Sequence, residues 1–259
     1  MQAAMRVFKY FGLVAACVPI YLALACISRR SAARMARRFH RLSALAIGLQ
    51  IDIRGQPSDG GPTLLASNHV SYLDIVALGA SIEASFVAKS EVAKWPFIGF
   101  LAYLQRTEFV QRTGGDVAEQ RDRLAHRLSR GDNLILFPEG TSSDGAHVLP
   151  FKSPLFDAAV KMGAGTKVQP VSVTYTRLND IPLGRSLRPN VAWYGDMDLI
   201  PHLPRVLSLG RLSVVVEFHQ PIEIDGARDR KALAAYCEAA VRSGVARALS
   251  GRHENPGFA

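Results

Sequence analysis

The sequence predicts an α/β protein whose mostly parallel or mixed sheet is flanked by helices and preceded by a membrane-embedded helical hairpin. Short apolar runs of strand length, such as 63–66 and 134–137, alternate along the chain with longer segments of helical periodicity. Residues 212–218 place apolar side chains at every second position, as a strand does. The membrane-embedded part is predicted from the 19 uncharged, mostly apolar residues from Tyr10 to Ser28.

The N-terminal segment carries the positive charge of the protein. Eight of the 31 Lys and Arg residues lie within 1–51, which holds no Asp or Glu, so the rest of the chain has 23 basic and 22 acidic residues. The formal net charge of +9 therefore indicates an anionic membrane surface and not a nucleic acid partner. The apolar run would span roughly 28 Å as a helix, close to the ~30 Å core of a bilayer.

We predict a membrane anchor over residues 1–50, made of an apolar helix at 10–28 and a basic amphipathic helix at 31–49. Basic residues flank the apolar run at both ends, and Lys and Arg favour the cytoplasmic side of a membrane. A helix kinked at Pro19 could enter and leave one leaflet, keeping both ends on that side. A single full span and a cleaved signal peptide are the alternatives. Residues 51–259 form the predicted α/β domain.

The elements after the anchor follow in chain order. Strands are predicted at 51–54, 63–66, 84–88, 108–110, 134–137, 168–176, 191–194 and 212–218, and helices at 73–78, 117–130, 156–162 and 231–249. Pro170 predicts an edge position or a bulge in its strand, because proline cannot donate to the ladder. Residues 95–104 are apolar and aromatic, and could either pack in the core or face lipid.

His69 and Asp74 are the first candidate site residues, because they follow directly after the apolar run 63–66. A carboxylate that holds an imidazole fixes its tautomer and stabilises the imidazolium, which is what a general base requires. On one regular helix the two side chains would point ~140° apart. They can therefore meet only if His69 lies in the loop and Asp74 in the first helical turn. A purely structural pair is the alternative.

Further polar groups follow the later strands, and loops that leave the ends of parallel strands converge on one site. The guanidinium of Arg112 fits phosphate or carboxylate. The loop 139–141 offers a carboxylate, a hydroxyl and backbone amides to an anion. A surface salt bridge, a capped turn and solvated lysines are the structural alternatives. The candidate substrate-binding residues are Arg112, Glu139, Gly140, Thr141, Lys89 and Lys152.

Four motifs resemble, in order and approximate spacing, the four blocks of the glycerolipid acyltransferase family. The resemblance is greatest to its bacterial 1-acylglycerol-3-phosphate acyltransferases and covers residues 60–175. The motifs are Asn68-His69 with Asp74, Phe109-Val110-Gln111-Arg112, Phe137-Pro138-Glu139-Gly140-Thr141 and Val168-Gln169-Pro170-Val171. The combination of the first block with the third is specific to this family, whereas either block alone would not be.

The resemblance implies a membrane-bound O-acyltransferase of lipid metabolism. His69 would take the proton from a lysolipid hydroxyl while Asp74 orients its ring, and the hydroxyl oxygen would attack the thioester of acyl-CoA or acyl-carrier protein directly. Arg112 and the loop 139–141 would bind the acceptor. The chemistry implied needs no metal and no cofactor. With 1-acylglycerol-3-phosphate as acceptor the product is phosphatidic acid, made on the cytoplasmic face of the inner membrane.

Two blocks depart from the family pattern. Arg106 and Gln111 replace a glycine and an acidic residue in the second block, and Ser142 replaces an arginine in the third. The lost arginine removes one phosphate partner, so lyso-ornithine lipid, whose amino acid head group carries no phosphate, is the alternative acceptor. A non-catalytic lipid-binding protein on the same fold is a second alternative. No Gly-x-Ser-x-Gly motif occurs, which argues against a serine hydrolase.

Overall fold

The computed structural model describes residues 2–59, 61–111, 117–224 and 229–251. Its main sheet has the strand order β1-β8-β6-β2-β5-β3-β4, and the short strands β7 and β9 also pair with β6. The strands are β1 Leu49–Arg54, β2 Thr63–Ser67, β3 Ser85–Lys89, β4 Glu108–Val110, β5 Leu134–Leu136, β6 Lys167–Leu178, β7 Ile181–Pro182, β8 Leu212–Phe218 and β9 Ile222–Glu223.

Neighbouring strands pair in parallel except where β6 meets β7, β8 and β9. The prediction of a mixed, mostly parallel sheet is therefore confirmed. Because β2, β3, β4 and β5 run in the same direction, their C-terminal ends meet at one edge of the sheet, where the loops that carry the candidate site residues begin.

Helices cover both faces of the sheet. They are α1 Gln2–Ile27, α2 Arg29–Ile47, α3 Leu73–Ser81, α4 Ile98–Leu104, α5 Val117–Ser129, α6 Asp157–Met162, α7 Leu199–Ser208 and α8 Arg230–Ser250. Successive residues of a strand point to opposite faces. Leu65 accordingly packs in one buried cluster with α3, and Leu64 packs in another with α5 and α8. The core thus has two layers, one on each side of the sheet.

The two N-terminal helices form the predicted hairpin. Tyr10 of α1 lies against Phe39 of α2, with ring centroids 6.0 Å apart, and Val14 and Cys17 pack into the same small cluster. The prediction that the chain turns at a kink near Pro19 is wrong, because α1 is helical through Pro19. The reversal occurs at Ser28, whose extended backbone ends α1 and whose Oγ accepts from the N–H of Ser31 to cap α2.

The hairpin is joined to the rest of the protein. The guanidinium of Arg6 donates to the carbonyls of Leu207, Leu209 and Gly210 at the end of α7. Helix α2 packs against α3 and β1. Strand β1 begins at Leu49, two residues before the predicted start of the α/β domain, and the division of the chain at residue 50 stays a prediction.

One local prediction is wrong, one helix was not predicted, and one prediction holds in only one of its two alternatives. Residues 191–194 are irregular and not a strand, because they cross to the edge that carries the candidate site residues, where the N–H of Trp193 donates to the carbonyl of Val70 at 2.9 Å. The ten-residue helix α7 lies in a region for which the sequence predicted no element. Pro170 lies in an interior strand, so the edge alternative is wrong, but it lies at an irregularity of the kind that the bulge alternative predicted. Between the pairs Val168–Ile222 and Val171–Phe218, two residues of β6 stand opposite three residues of the segment that joins β8 to β9.

Candidate active site

The loop after β2 brings His69 and Asp74 together. Strand β2 ends at Ser67, His69 lies in the following loop, and Asp74 lies in the first turn of α3. The Nδ1 atom of His69 is 2.8 Å from Oδ2 of Asp74. This pairing leaves Nε2 as the ring nitrogen available to another group, and the side chain of His69 is 20% exposed. The pair therefore has the geometry of a general base with a carboxylate that orients it.

Asp74 is fully buried, and donors surround its carboxylate. Oδ2 accepts from the backbone N–H groups of Val70 at 2.7 Å and Ser71 at 3.0 Å, in addition to the imidazole. Oδ1 accepts from the hydroxyl of Tyr175 at 2.7 Å. Burial, followed by the Asp74 carboxylate, raises the pKa of Tyr175 well above its ordinary value, so this hydroxyl keeps its proton and donates. The carboxylate is held in one position from several sides.

The side chain of Asn68 aligns β6 with the loop after β2, and this alignment brings Tyr175 to Asp74. Its side-chain amide donates to the carbonyl of Val173 at 2.9 Å and accepts from the N–H of the same residue at 2.8 Å. Asn68 thus continues the pairing of β2 with β6 by one residue after the backbone ladder ends at Ser67. Since side chains two residues apart share a face, Tyr175 then points to the same side as Val173, towards α3.

The loop after β5 fixes the backbone and the ring of His69. The carbonyl of His69 accepts from the backbone N–H of Ser143 at 2.8 Å and from its hydroxyl at 3.3 Å. The ring of Phe137 stacks on the imidazole with centroids 4.1 Å apart and an interplanar angle of 19°. Together with Asp74, these contacts leave the imidazole little freedom to turn away.

Glu139 supports the same loop from below the surface. Its carboxylate is buried and accepts from the N–H of His69 at 3.3 Å and from the N–H of Leu149 at 3.1 Å. Desolvation raises the pKa of Glu139 to about 8, against the opposing effect of these two donors. Glu139 therefore bridges two backbone segments, and it does not face solvent as a group that binds substrate through an exposed carboxylate would.

The remaining candidates occupy the edge around this pair. Gly140 has a φ of 68°, a conformation that favours glycine, and a Cβ built there would lie 3.0 Å from Nζ of Lys152. Thr141 and Lys152 are exposed. Lys89 is the last residue of β3 and aligns with Val110 of β4. Arg112 lies outside the described residues, so its predicted place at the site stays a prediction.

Sequence reasoning missed Tyr175 as part of the site, and it assigned no role to Phe137, which lies in the third motif, or to Ser143, which follows that motif. Tyr175 continues the alternation of Val171 and Val173, which are buried, and a buried phenol needs a hydrogen-bond partner. That pattern could have indicated a polar group beneath β6. Nothing in the sequence could have indicated that Ser143 bonds to the carbonyl of His69, because the two residues are 74 positions apart.

The arrangement can take a proton from a hydroxyl group presented to Nε2. The serines beside His69 are not placed as nucleophiles. The buried hydroxyl of Ser67 donates to the carbonyl of Asn68 at 3.0 Å, and that of Ser71 accepts from the N–H of Leu73 at 3.4 Å. A substrate hydroxyl activated by His69 is therefore the nucleophile that this geometry favours.

The chain is similar to known acyltransferases in sequence and in fold. Residues 50–174 match the profile of a family described as Acyltransferase. The chain is 46% identical over 225 residues to the lyso-ornithine lipid O-acyltransferase of Brucella abortus (strain 2308), over 85% of this chain and 84% of that protein. It is 36% identical over 222 residues to the 1-acyl-sn-glycerol-3-phosphate acyltransferase of Neisseria gonorrhoeae, with the same two coverages.

A solved structure shares the fold. The crystal structure of the 1-acyl-sn-glycerophosphate (LPA) acyltransferase PlsC from Thermotoga maritima aligns with a TM-score of 0.69. The alignment covers 98% of this chain and 100% of that chain, with 22% sequence identity. The similarity extends over the N-terminal hairpin as well as the sheet.

Proposed function

This chain belongs to the acyltransferase family, and we propose that it transfers a fatty acyl group to the free hydroxyl of lyso-ornithine lipid. It is an enzyme, and it acts on lysolipids. The observation that carries the proposed acceptor is the 46% identity to a lyso-ornithine lipid O-acyltransferase, against 36% to a 1-acyl-sn-glycerol-3-phosphate acyltransferase over nearly the same length. Lyso-ornithine lipid, the alternative acceptor in the sequence analysis, is thus better supported than 1-acylglycerol-3-phosphate, the main one.

The contacts of the site support a direct transfer with His69 as general base. Nε2 of His69 takes the proton of the lysolipid hydroxyl as the oxygen attacks the thioester carbonyl of acyl-CoA or acyl-carrier protein. The tetrahedral intermediate expels the thiolate, the proton passes from the imidazolium to that sulfur, and the products are an ester and a free thiol. Asp74, held by Tyr175, stabilises the imidazolium between these steps. The reaction needs no cofactor beyond its two substrates.

Lysophosphatidic acid is the second candidate acceptor. The Neisseria gonorrhoeae relative carries the name of that activity, and the site loop 139–141 has the residues of the family motif. Ser142 weighs against it, because an arginine at this position would give a phosphate a bidentate cationic partner and serine cannot. We therefore place lysophosphatidic acid after lyso-ornithine lipid.

We further propose that the hairpin anchors the enzyme in one leaflet of the inner membrane, with the sheet on the cytoplasmic side. Within the described residues, α1 is the one helix long and apolar enough to cross a bilayer, and most of its surface is exposed. Helix α4 lies beside it, since the rings of Phe11 and Phe97 are 5.0 Å apart and the hydroxyl of Tyr21 donates to the carbonyl of Leu104. The exposed aromatic residues Phe100 and Tyr103 on α4 support lipid contact for residues 95–104.

Transfer assays with the purified, detergent-solubilised protein test the acceptor and the donor together. Labelled acyl-CoA and acyl-carrier protein are each offered with lyso-ornithine lipid, lysophosphatidic acid and lysophosphatidylethanolamine, and His69→Ala provides the blank. We expect product with lyso-ornithine lipid that the variant does not form. Product with lysophosphatidic acid alone would replace the proposed acceptor, and no product with any pair would favour a non-catalytic lipid-binding protein.

A further inference from the structure

The loop 142–146 lies directly beside the general base. Its Ser143 bonds to the carbonyl of His69 through both N–H and hydroxyl. A Cβ built on Gly145 would lie 2.8 Å from Cγ1 of Val70, so this glycine is in close contact with the residue after the base. The loop begins at Ser142, where the family motif has an arginine. Its charged residue is Asp144, one position beyond the serine that holds His69.

A second segment, 188–193, reaches the same place from the opposite side. Nη1 of Arg188 donates to the carbonyl of Gly145 at 2.8 Å, and the N–H of Trp193 donates to the carbonyl of Val70 at 2.9 Å. The segment is thus attached at one end to the loop 142–146 and at the other to the backbone next to His69. The guanidinium of Arg188 therefore lies on the loop that begins at Ser142.

Asp144 and Arg188 are neighbours, because Arg188 bonds to the carbonyl of the residue that follows Asp144, yet the two side chains form no ion pair. Oδ1 of Asp144 accepts from the N–H of Ala146 at 2.8 Å, and no hydrogen bond to Oδ2 occurs among the described residues. The ion pairs within 4.0 Å that the described residues form do not include Asp144 with Arg188. Burial lowers the pKa of Arg188, while the Asp144 carboxylate raises it and the Arg185 guanidinium lowers it, so the charges of Asp144 and Arg188 are close enough to interact.

The guanidinium of Arg188 is also incompletely satisfied. Its Nε is buried and has no hydrogen-bond partner among the described residues. A buried donor without a partner is destabilising, and such groups persist where an ion or a ligand completes the site. A carboxylate and a guanidinium that are neighbours but form no ion pair, on segments bonded to the backbone around His69, therefore have the charges of a binding site and not those of a completed salt bridge.

We propose that Asp144 and Arg188 bind the zwitterionic amino acid head group of the acceptor, with its carboxylate on Arg188 and its ammonium group on Asp144. The inference rests on the proposed function and adds the residues that select the acceptor. Ornithine carries one group of each sign, so both side chains gain a partner of opposite charge. A phosphate monoester carries only negative charge and would be attracted by Arg188 but repelled by Asp144.

Asp144→Asn is the sharpest variant, because asparagine can still accept from the N–H of Ala146 and only the charge is lost. We expect the KM for lyso-ornithine lipid to rise about tenfold, the effect of one charged contact in a half-buried site, with kcat nearly unchanged. The KM for lysophosphatidic acid should stay the same or fall. Arg188→Gln should raise the KM for both acceptors. Asp196→Asn and Arg205→Gln change exposed residues by the same charges and serve as controls.

The opposite response of the two acceptors distinguishes binding from support of the loop. If Asp144→Asn raises both KM values alike, lowers kcat for both, or changes neither, the inference is overturned. A measurement on the unaltered protein covers the case in which the variant does not fold. Acetylation of the amine in the head group of lyso-ornithine lipid should raise the KM of the wild-type protein about tenfold. Equal KM values for the acetylated and the unmodified lipid would contradict the role of Asp144. A wild-type enzyme that transfers only to lysophosphatidic acid would instead refute the proposed function itself.

Discussion

The active site and the surface formed by α1 and α4 are built in opposite ways. In the site, each polar group that holds His69 has a partner: Asp74 is fully buried and bonded on both oxygens, and Glu139 joins two backbone segments. The α1–α4 surface is largely free of such bonds and leaves Phe8 77% and Tyr103 74% exposed. The difference supports the proposal that catalysis and membrane attachment use separate residues, so we expect that each can be lost while the other remains.

Loss of the general base should have the largest effect. His69→Ala removes the group that accepts the hydroxyl proton, so we expect kcat to fall by about 10³-fold or more. Binding to vesicles and the thermal midpoint Tm should change little, since the side chain of His69 is at the surface of the site. His126→Ala, on the exposed face of α5, is the matched control. A variant that left the membrane, or that retained turnover, would remove the separation between the two regions.

Charges introduced on the α1–α4 surface should weaken membrane binding and leave catalysis unchanged. Phe8→Asp combined with Phe100→Asp replaces two exposed aromatic rings by carboxylates, each disfavoured in lipid by ~2 kcal/mol or more. We expect vesicle binding, measured by co-sedimentation, to fall by about 1,000-fold while kcat in detergent stays the same. Val117→Asp introduces the same change on α5, whose other face packs on the opposite side of the sheet, and should bind as the wild type does. Equal binding by all three proteins would contradict the proposed surface.

Removal of the Tyr175 hydroxyl tests how far the hydrogen bonds of the site act on the chemistry. Tyr175→Phe leaves Oδ1 of Asp74 without its phenol donor, so we expect kcat to fall about tenfold with KM nearly unchanged. The loss should also shift the pH dependence of kcat, which a purely structural role would not do. Tyr236→Phe removes a surface hydrogen bond of 3.1 Å and controls for the loss of one hydroxyl. A change in Tm with normal kinetics would limit Tyr175 to stability.

Glu139 should give the smallest effect, visible mainly in the pH dependence of stability. Its folded-state pKa of about 8 lies above the ordinary value of 4.5, so the folded protein holds a proton that the unfolded chain has released at intermediate pH. The stability that this group contributes is full below about pH 4.5 and is lost as the pH rises through 8. Glu139→Gln should therefore flatten the fall in Tm between pH 5 and 8.

The Glu139→Gln protein should be less stable than the wild type at pH 5, by ~1–2 kcal/mol, because the new amide nitrogen faces a backbone N–H where a carboxyl oxygen accepted one. This gap should narrow towards pH 8. Tm measured in detergent for both proteins across this range checks the prediction. Two parallel curves would mean that Glu139 is ionised in the folded protein at all these values.

Much of the fold could be predicted because local patterns determine it. The apolar runs of β2, β3 and β5 and the alternation in β8 predicted strands within about two residues of their observed bounds, and α8 was equally clear. Helix α7 could not be predicted, because Pro201 and Pro204 lie within it and mask its periodicity. The segment 191–194 is apolar like a strand, yet its contacts are with the active-site loop.

Some residues of the candidate site could also be predicted from local patterns, and others could not. His69 and Asp74 are five residues apart, so their meeting follows from a strand, a loop and one helical turn. Tyr175 lies 101 positions from Asp74, and Arg188 lies 43 positions from Gly145. Their contacts depend on the order of strands in the sheet and on loops that cross its edge, which residue patterns do not encode. The residues that a local pattern missed are the ones that orient the base and face the acceptor.

A competition between two acceptors tests the central claim most directly. Equal concentrations of lyso-ornithine lipid and lysophosphatidic acid are offered to the wild-type protein in one micelle with one labelled acyl donor, and the ratio of the two products gives the ratio of kcat/KM. We predict that acylated ornithine lipid is the main product and that His69→Ala forms neither. Phosphatidic acid as the main product would contradict the proposed acceptor, and turnover by His69→Ala would contradict the proposed base.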